Sequence, residues 1–167
     1  MTQFNVKSGK LRVTDPAYDL SVWCAATLDK VKNGVYHVNV DHENKGVWGD
    51  RISQIEIYHD SVKTRLNRLK WHWRDSNIGV DSGQAGFFDY EEFRKVKDNE
   101  QLDNTFYNEM SEYTLSTDQY GANEFGAVSS SGYGDGVYSL HVAELNGEVV
   151  AARIVFIDED SEDFEEI

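Results

Sequence analysis

Residues 137–157, VYSLHVAELNGEVVAARIVFI, contain two apolar segments that flank the dipeptide Asn146-Gly147. Asn-Gly is typical of a two-residue type I′ turn, in which both central residues have positive φ. The stretch therefore predicts an antiparallel β-hairpin, and a regular two-residue turn places His141 opposite Ala152. Because both faces of this hairpin are largely apolar, we expect it to be covered on both sides, inside a sandwich or beneath a helix.

Strands are also predicted before the hairpin, and helices in the middle of the chain. Alternating apolar and polar residues predict strands at 11–14, 35–40 and 51–59. Asp89 followed by Glu92 has the spacing of a helix-capping pair. A second apolar stripe then follows at three- and four-residue steps, at Leu102, Phe106, Met110 and Tyr113. The expected fold class is α+β: a mostly antiparallel, sandwich-like sheet with one or two helices between about residues 89 and 113.

The 167 residues are enough for one domain with a single core. We expect residues 1–157 to form that domain and residues 158–167 to form a disordered acidic tail, because blocks of like charge are normally solvated. The net charge is −14, which disfavours direct binding to nucleic acid because phosphates would be repelled.

Targeting signals are not evident in the sequence. No apolar run reaches the roughly 18 residues that a membrane-spanning helix needs, and the first residues contain no signal-peptide pattern. The single cysteine, Cys24, cannot form an internal disulfide, which fits a reducing compartment. The expected location is the cytoplasm, without a membrane partner.

Two segments rich in Gly and Asp, residues 79–89 and 129–138, are the best candidates for a functional site. Glycine permits positive φ and close backbone approach, and functional residues are often placed on such loops. The candidate ligand-binding residues are Asp15, Asp81, Ser82, Gln84, Tyr133 and Asp135. Asp81 and Asp135 are also the candidate ligands for a divalent cation, since hard cations prefer carboxylate oxygens; turn-forming aspartates are the alternative interpretation.

A basic segment, residues 63–74, contains Trp71 and Trp73 in alternation with Lys70, His72 and Arg74. The tryptophans could stack on a nucleotide ring while the cations hold phosphate. Alternation is also what an ordinary antiparallel strand shows, with the tryptophans in the core and the polar residues in water. We favour this second interpretation.

Three motifs resemble a family of uncharacterised proteins from bacteriophages and bacterial genomes. They are TDPAY at residues 14–18, VDSGQAGFFD at 80–89 and SSGYGDGVY at 130–138. The resemblance brings no established activity and therefore no catalytic residues. It implies that the TDPAY turn and the two Gly-rich loops belong to one recurring feature, and that the chain is an accessory protein of a phage or mobile element.

The sequence contains none of the strong catalytic motifs, such as a P-loop, HExxH, CxxC or GxSxG. We therefore expect a non-enzymatic binding protein that holds a small ligand or a host protein at the Gly/Asp-rich loops. One alternative is a hydrolase that depends on a divalent metal. Another is an acidic mimic of nucleic acid that inhibits a DNA-binding protein.

Overall fold

The computed structural model describes residues 2–158, apart from the side chain of Asp75. This part of the chain forms eleven strands and two helices, with short 3-10 turns between some of them. The strands are β1 (Gln3–Val6), β2 (Leu11–Thr14), β3 (Ala26–Leu28), β4 (Gly34–Asn44), β5 (Asp50–His59), β6 (Trp71–Val80), β7 (Gln84–Asp89), β8 (Tyr120–Ala122), β9 (Gly126–Ser130), β10 (Gly136–Leu145) and β11 (Glu148–Val155). The helices are α1 (Tyr90–Lys97) and α2 (Glu100–Thr114).

The strands form two antiparallel sheets that pack face to face. One sheet has six strands in the order β1-β4-β5-β11-β10-β6, and the other has five strands in the order β3-β2-β7-β9-β8. The predicted α+β fold, with a sandwich-like antiparallel arrangement and two helices in mid-chain, is confirmed. Neither sheet is a continuous stretch of chain, because the strands of each are interleaved in sequence with those of the other.

The main core lies between the two sheets. Alternate side chains of the six-stranded sheet, such as Ile55, Leu140 and Ile154, pack against Val13 and Phe87 of the five-stranded sheet, and all five are fully buried. Burying a side chain of this size contributes about 1.5 to 3 kcal/mol. Period-two alternation thus determines which face of each strand enters the core.

The helices cover the second face of the five-stranded sheet. Phe88 and Val128 point away from the main core and contact Phe93 of α1 and Phe106 and Met110 of α2. Strand β7 is buried along its whole length because both of its faces are covered. The predicted helix start is confirmed as well, since the Asp89 carboxylate accepts a hydrogen bond from the amide of Glu92.

The hairpin is formed by β10 and β11, with positive φ at both Asn146 (54°) and Gly147 (81°), as the type I′ prediction requires. The predicted register is wrong by one residue. A β-bulge between Ala143 and Glu144 shifts the pairing, so His141 lies opposite Arg153, not opposite Ala152. A bulge adds an unpaired residue to one strand and changes which side chains share a face.

The preferred interpretation of Trp71 and Trp73 is also wrong. Trp73 pairs with His141 on the face of the six-stranded sheet that points away from the other sheet, and its side chain is 56% exposed. Trp71 lies on the same face, opposite Ala143. His72 and Arg74 leave the other face of β6, but His72 is exposed and Arg74 is partly exposed, so neither face is buried at residues 71–74.

The predicted acidic tail begins at Asp158, the last residue that the structure describes. The expectation of disorder for the rest of the tail falls on residues 159–167, which lie outside the described part of the chain.

Candidate functional site

Two turns carry the chain between the sheets at one end of the sandwich. Residues 81–83 lead from β6 to β7, and residues 131–135 lead back from β9 to β10. Gly83 and Gly132 have positive φ values of 71° and 60°, a conformation that costs a residue without a Cβ little. We call these two turns the loop end.

The carboxylate of Asp15, just after β2, holds the first turn. Its Oδ2 accepts hydrogen bonds from the amides of Asp81 (2.8 Å) and Ser82 (2.7 Å). Its Oδ1 accepts from the Ser82 hydroxyl (2.6 Å) and from the amide of Ala17 (2.8 Å). Asp15 is fully buried, and four donors replace the water that its charge has lost. Asp15 and Ser82 are therefore brought together, as structural partners of each other.

The two Gly-rich loops contact each other directly. The amide of Gly83 donates to the carboxylate of Asp135 (2.9 Å), and the amide of Ser131 donates to the carbonyl of Gly83 (3.0 Å). The Tyr138 hydroxyl donates to the carbonyl of Gly134 (2.6 Å) and braces the second turn from inside. Asp15 thus holds residues 81 and 82 of the first turn, and Asp135 ties the next residue, Gly83, to the second turn.

The side chains of Gln84 and Asp81 bond to residues outside the two turns. Gln84 is buried, and its amide group bonds to Ser111 and Thr114 of α2, so it joins the helix to the sheet. Asp81 is exposed and accepts a hydrogen bond from the Tyr18 hydroxyl (2.7 Å). Desolvation, and then this bond to Asp81, raise the pKa of Tyr18 well above its usual value.

Tyr133, the remaining predicted residue, lies on an exposed aromatic surface. Its ring, 50% exposed, makes an edge-to-face contact with Trp48 at 6.3 Å between centroids. The Arg51 guanidinium lies 5.9 Å from the centre of the Tyr133 ring and donates to the carbonyl of Trp48 (2.7 Å). Trp48 is 64% exposed and its neighbour Val47 is 98% exposed. We call these four residues the loop-end surface.

Sequence reasoning missed Val47, Trp48 and Arg51. They belong to the connection between β4 and β5, where Gly46 and Gly49 flank a short 3-10 turn. Two large apolar residues between turn-forming glycines are a signal that the sequence carries. Their proximity to Tyr133, more than eighty residues away in sequence, depends on the pairing of both sheets.

The donor set for a cation is sparse at this site. Within residues 2–158, no group of three or more His, Cys, Asp or Glu side chains is placed to hold a metal ion. Both oxygens of Asp15 already accept two hydrogen bonds each. Asp81 and Asp135 are each occupied by one protein donor, Tyr18 and Gly83. The hydrogen bonds of these carboxylates therefore position the two turns, and the site presents the exposed rings of Trp48 and Tyr133.

Cys24 lies near this site. Its carbonyl accepts a hydrogen bond from the amide of Gly79 (2.8 Å), and its thiol is half-buried. A Cβ added at Gly79 would come within 2.5 Å of the Cys24 sulfur, which explains why glycine is required in β6 at that point.

Comparison with known proteins gave no match: no family model, no curated protein and no solved structure matches the chain. The resemblance suggested by the three motifs therefore stays an expectation. Neither of the helices within residues 2–158 is long and apolar enough to cross a membrane.

Proposed function

We propose that the chain is a non-enzymatic binding protein that engages a partner protein through the loop-end surface. The observation that carries this proposal is the exposure of Val47, Trp48 and Tyr133 in a region that is otherwise held by a dense set of hydrogen bonds. Exposed clusters of large apolar side chains often mark interaction sites. Trp, Tyr and Arg are the residue types that most often dominate binding energy at protein interfaces.

The charge around this surface indicates the chemistry of the partner. Asp50, Asp81 and Asp135 are all exposed at or beside the loop end, and the chain as a whole is strongly acidic. Complementary potentials speed association and select partners. We therefore infer a partner with an apolar pocket and a basic rim. The resemblance to phage proteins favours a bacterial host protein, which would make this chain an accessory protein of a phage or mobile element.

The rigidity of the loop end supports binding more than catalysis. A surface that is already ordered loses little conformational entropy when a partner binds. The Asp15 and Asp135 bonds fix the two turns beneath Tyr133, and Arg51 fixes Trp48. The predicted candidates Asp15, Ser82 and Asp135 thus act by holding the surface in place.

The test compares purified variants in affinity capture from bacterial lysate, followed by titration with each purified captured protein. Trp48→Ala and Tyr133→Ala should lose a protein that the native chain retains, and should weaken its binding at least ten-fold, about 1.4 kcal/mol. Trp73→Ala is the matched control, because Trp73 is similarly exposed but lies on the outer sheet face. Capture that is unaffected by the loop-end substitutions, or equally reduced by Trp73→Ala, would contradict the proposal.

A further inference from the structure

A groove of about 460 Å³ lies on the outer face of the six-stranded sheet, away from the loop-end surface. Its polar lining comes from Tyr138, Ser139 and His141 of β10, Arg153 of β11 and Asp158, which adds one carboxylate. Its volume is within the usual range for small-molecule sites, about 300 to 1,000 Å³. The proposed binding of a partner protein makes no use of these residues.

The β-bulge in the hairpin creates this polar cluster. Without it, His141 would lie opposite Ala152, and Arg153 would be displaced from its side. The shift between Ala143 and Glu144 places His141 directly across from Arg153, so both side chains leave the same face of the sheet. Bulges often re-aim side chains at functional positions.

Arg153 is held in place while its donors remain available. Its guanidinium carbon lies 3.5 Å from the centre of the Trp71 ring, and its Nε lies 3.4 Å from the Glu56 carboxylate. Its side chain is only 26% exposed. Among the described residues, none accepts a hydrogen bond from its terminal amino groups, and its buried Nε also has no hydrogen-bond partner. An oriented guanidinium with unused donors suits a phosphate or carboxylate.

His141 adds a second polar group to the same side of the groove. Burial, and then the neighbouring Arg153 cation, lower the pKa of His141, while Asp158 opposes this shift. The imidazole is therefore mostly neutral at pH 7 and can donate one hydrogen bond. A neutral imidazole adds no second positive charge beside Arg153, and it still provides one N–H donor to the groove.

An aromatic ring borders the polar cluster. Trp73 of β6 pairs with His141 of β10, on the side away from Arg153; it lies beside the groove, is not one of its lining residues, and is more than half exposed. Val137 and Phe156 supply an apolar end to the groove. A flat aromatic ring can stack on an exposed tryptophan, as bases do in proteins that bind single-stranded nucleic acid.

We propose that this groove binds a small aromatic monophosphate, such as a nucleoside monophosphate or an aryl phosphate. The phosphate would accept hydrogen bonds from Arg153, His141 and Ser139, and the ring would lie against Trp73. The carboxylates of Glu56, 3.4 Å from the Arg153 Nε, and of Asp158 in the groove lining oppose an anion locally, whereas charges more than about 8 Å away are largely screened at physiological salt.

The proposal is tested by calorimetric titration of the full chain with four probes: AMP, phenyl phosphate, adenosine and inorganic phosphate. AMP and phenyl phosphate should both bind, and adenosine and inorganic phosphate should each bind at least ten-fold more weakly. Tighter binding of AMP than of phenyl phosphate identifies a nucleotide site, and equal binding identifies a site for aryl phosphates in general. If inorganic phosphate binds as well as phenyl phosphate, or if none of the probes binds at millimolar concentration, the proposal is overturned.

Two variants locate the binding in this groove. Arg153→Gln should weaken phenyl phosphate binding at least ten-fold, and Trp73→Ala should weaken it about five-fold, close to 1 kcal/mol. Trp73→Ala removes an exposed side chain, so it provides a reading even if Arg153→Gln disturbs folding through Glu56. Trp48→Ala is the control and should bind normally. Binding that is unchanged in both groove variants would show that the ligand lies elsewhere.

Discussion

The carboxylate of Asp15 is the most heavily used polar group of the loop end. It sits at the point where β2 leaves the five-stranded sheet and accepts hydrogen bonds from three other residues. The sequence motifs grouped Asp15 with the Gly-rich loops, and its carboxylate is bonded to the first of those loops, at Asp81 and Ser82. The role of Asp15 in ligand binding stays a prediction. A sequence does not show which donors surround a carboxylate, and here they are three backbone amides and the Ser82 hydroxyl.

Replacing Asp15 by Asn should destabilise the fold markedly. An amide group has one acceptor oxygen in place of two, so its NH₂ would face the donors on one side of the site. Each oxygen of Asp15 accepts from two donors, and each buried donor left without a partner costs about 1 to 3 kcal/mol, so we expect a total loss of about 2 to 6 kcal/mol in urea unfolding. Asp81→Asn is the control, because its exposed side chain keeps an acceptor for Tyr18, and it should cost less than about 1 kcal/mol. Equal losses in the two variants would refute the role of Asp15.

At the scale of elements, the features predicted best are those set by neighbouring residues. The Asn146-Gly147 turn and the Asp89 helix cap each depend on a few adjacent positions, and both were found as expected. The β-bulge at Ala143 was missed because no glycine or other local marker accompanies it in the sequence. The meeting of the two Gly-rich loops was beyond prediction because it depends on strands paired across the whole chain.

The helices attach to the sheet through a cluster of phenylalanines, and this gives a test of the predicted apolar stripe. Phe93 of α1 is fully buried against Phe88 and Phe106, whereas Leu102, the first residue of the predicted stripe, is half exposed. Phe93→Ala should lower the free energy of unfolding by about 3 to 5 kcal/mol, because it leaves a cavity. Leu102→Ala should cost less than about 1 kcal/mol, since little of its side chain is removed from water. Chemical denaturation measures both, and a larger loss for Leu102→Ala would show that α2 packs in a different orientation.

At the scale of the whole molecule, the end of the described chain is part of the core. Phe156 and Ile157 are buried in the main cluster, and both of their amides donate to the carbonyl of Ser53. The predicted domain boundary at residue 157 remains a prediction. A domain that ended before Phe156 would lack two side chains of the main core.

Two shortened chains test that boundary. On the prediction of a disordered acidic tail, a chain that ends at Asp158 should keep its free energy of unfolding within about 0.5 kcal/mol. A chain that ends at Val155 should lose about 3 to 6 kcal/mol, because two large buried side chains are removed. Similar losses in both would place stabilising contacts in residues 159–167. The chain ending at Asp158 also tests nucleic-acid mimicry, since loss of partner capture in this variant would favour mimicry over the loop-end surface.

During translation, β11 is the last of the described strands to leave the ribosome, yet it lies in the middle of the six-stranded sheet, between β5 and β10. Until it emerges, β1, β4 and β5 can pair only with one another, and β6 can pair only with β10. Each group then presents an unpaired strand edge, which is prone to association with other chains. The growing polypeptide therefore cannot complete its sheet at the ribosome before residue 155 has been made. We expect nascent chains halted before that point to need chaperone protection, whereas full-length chains fold on release.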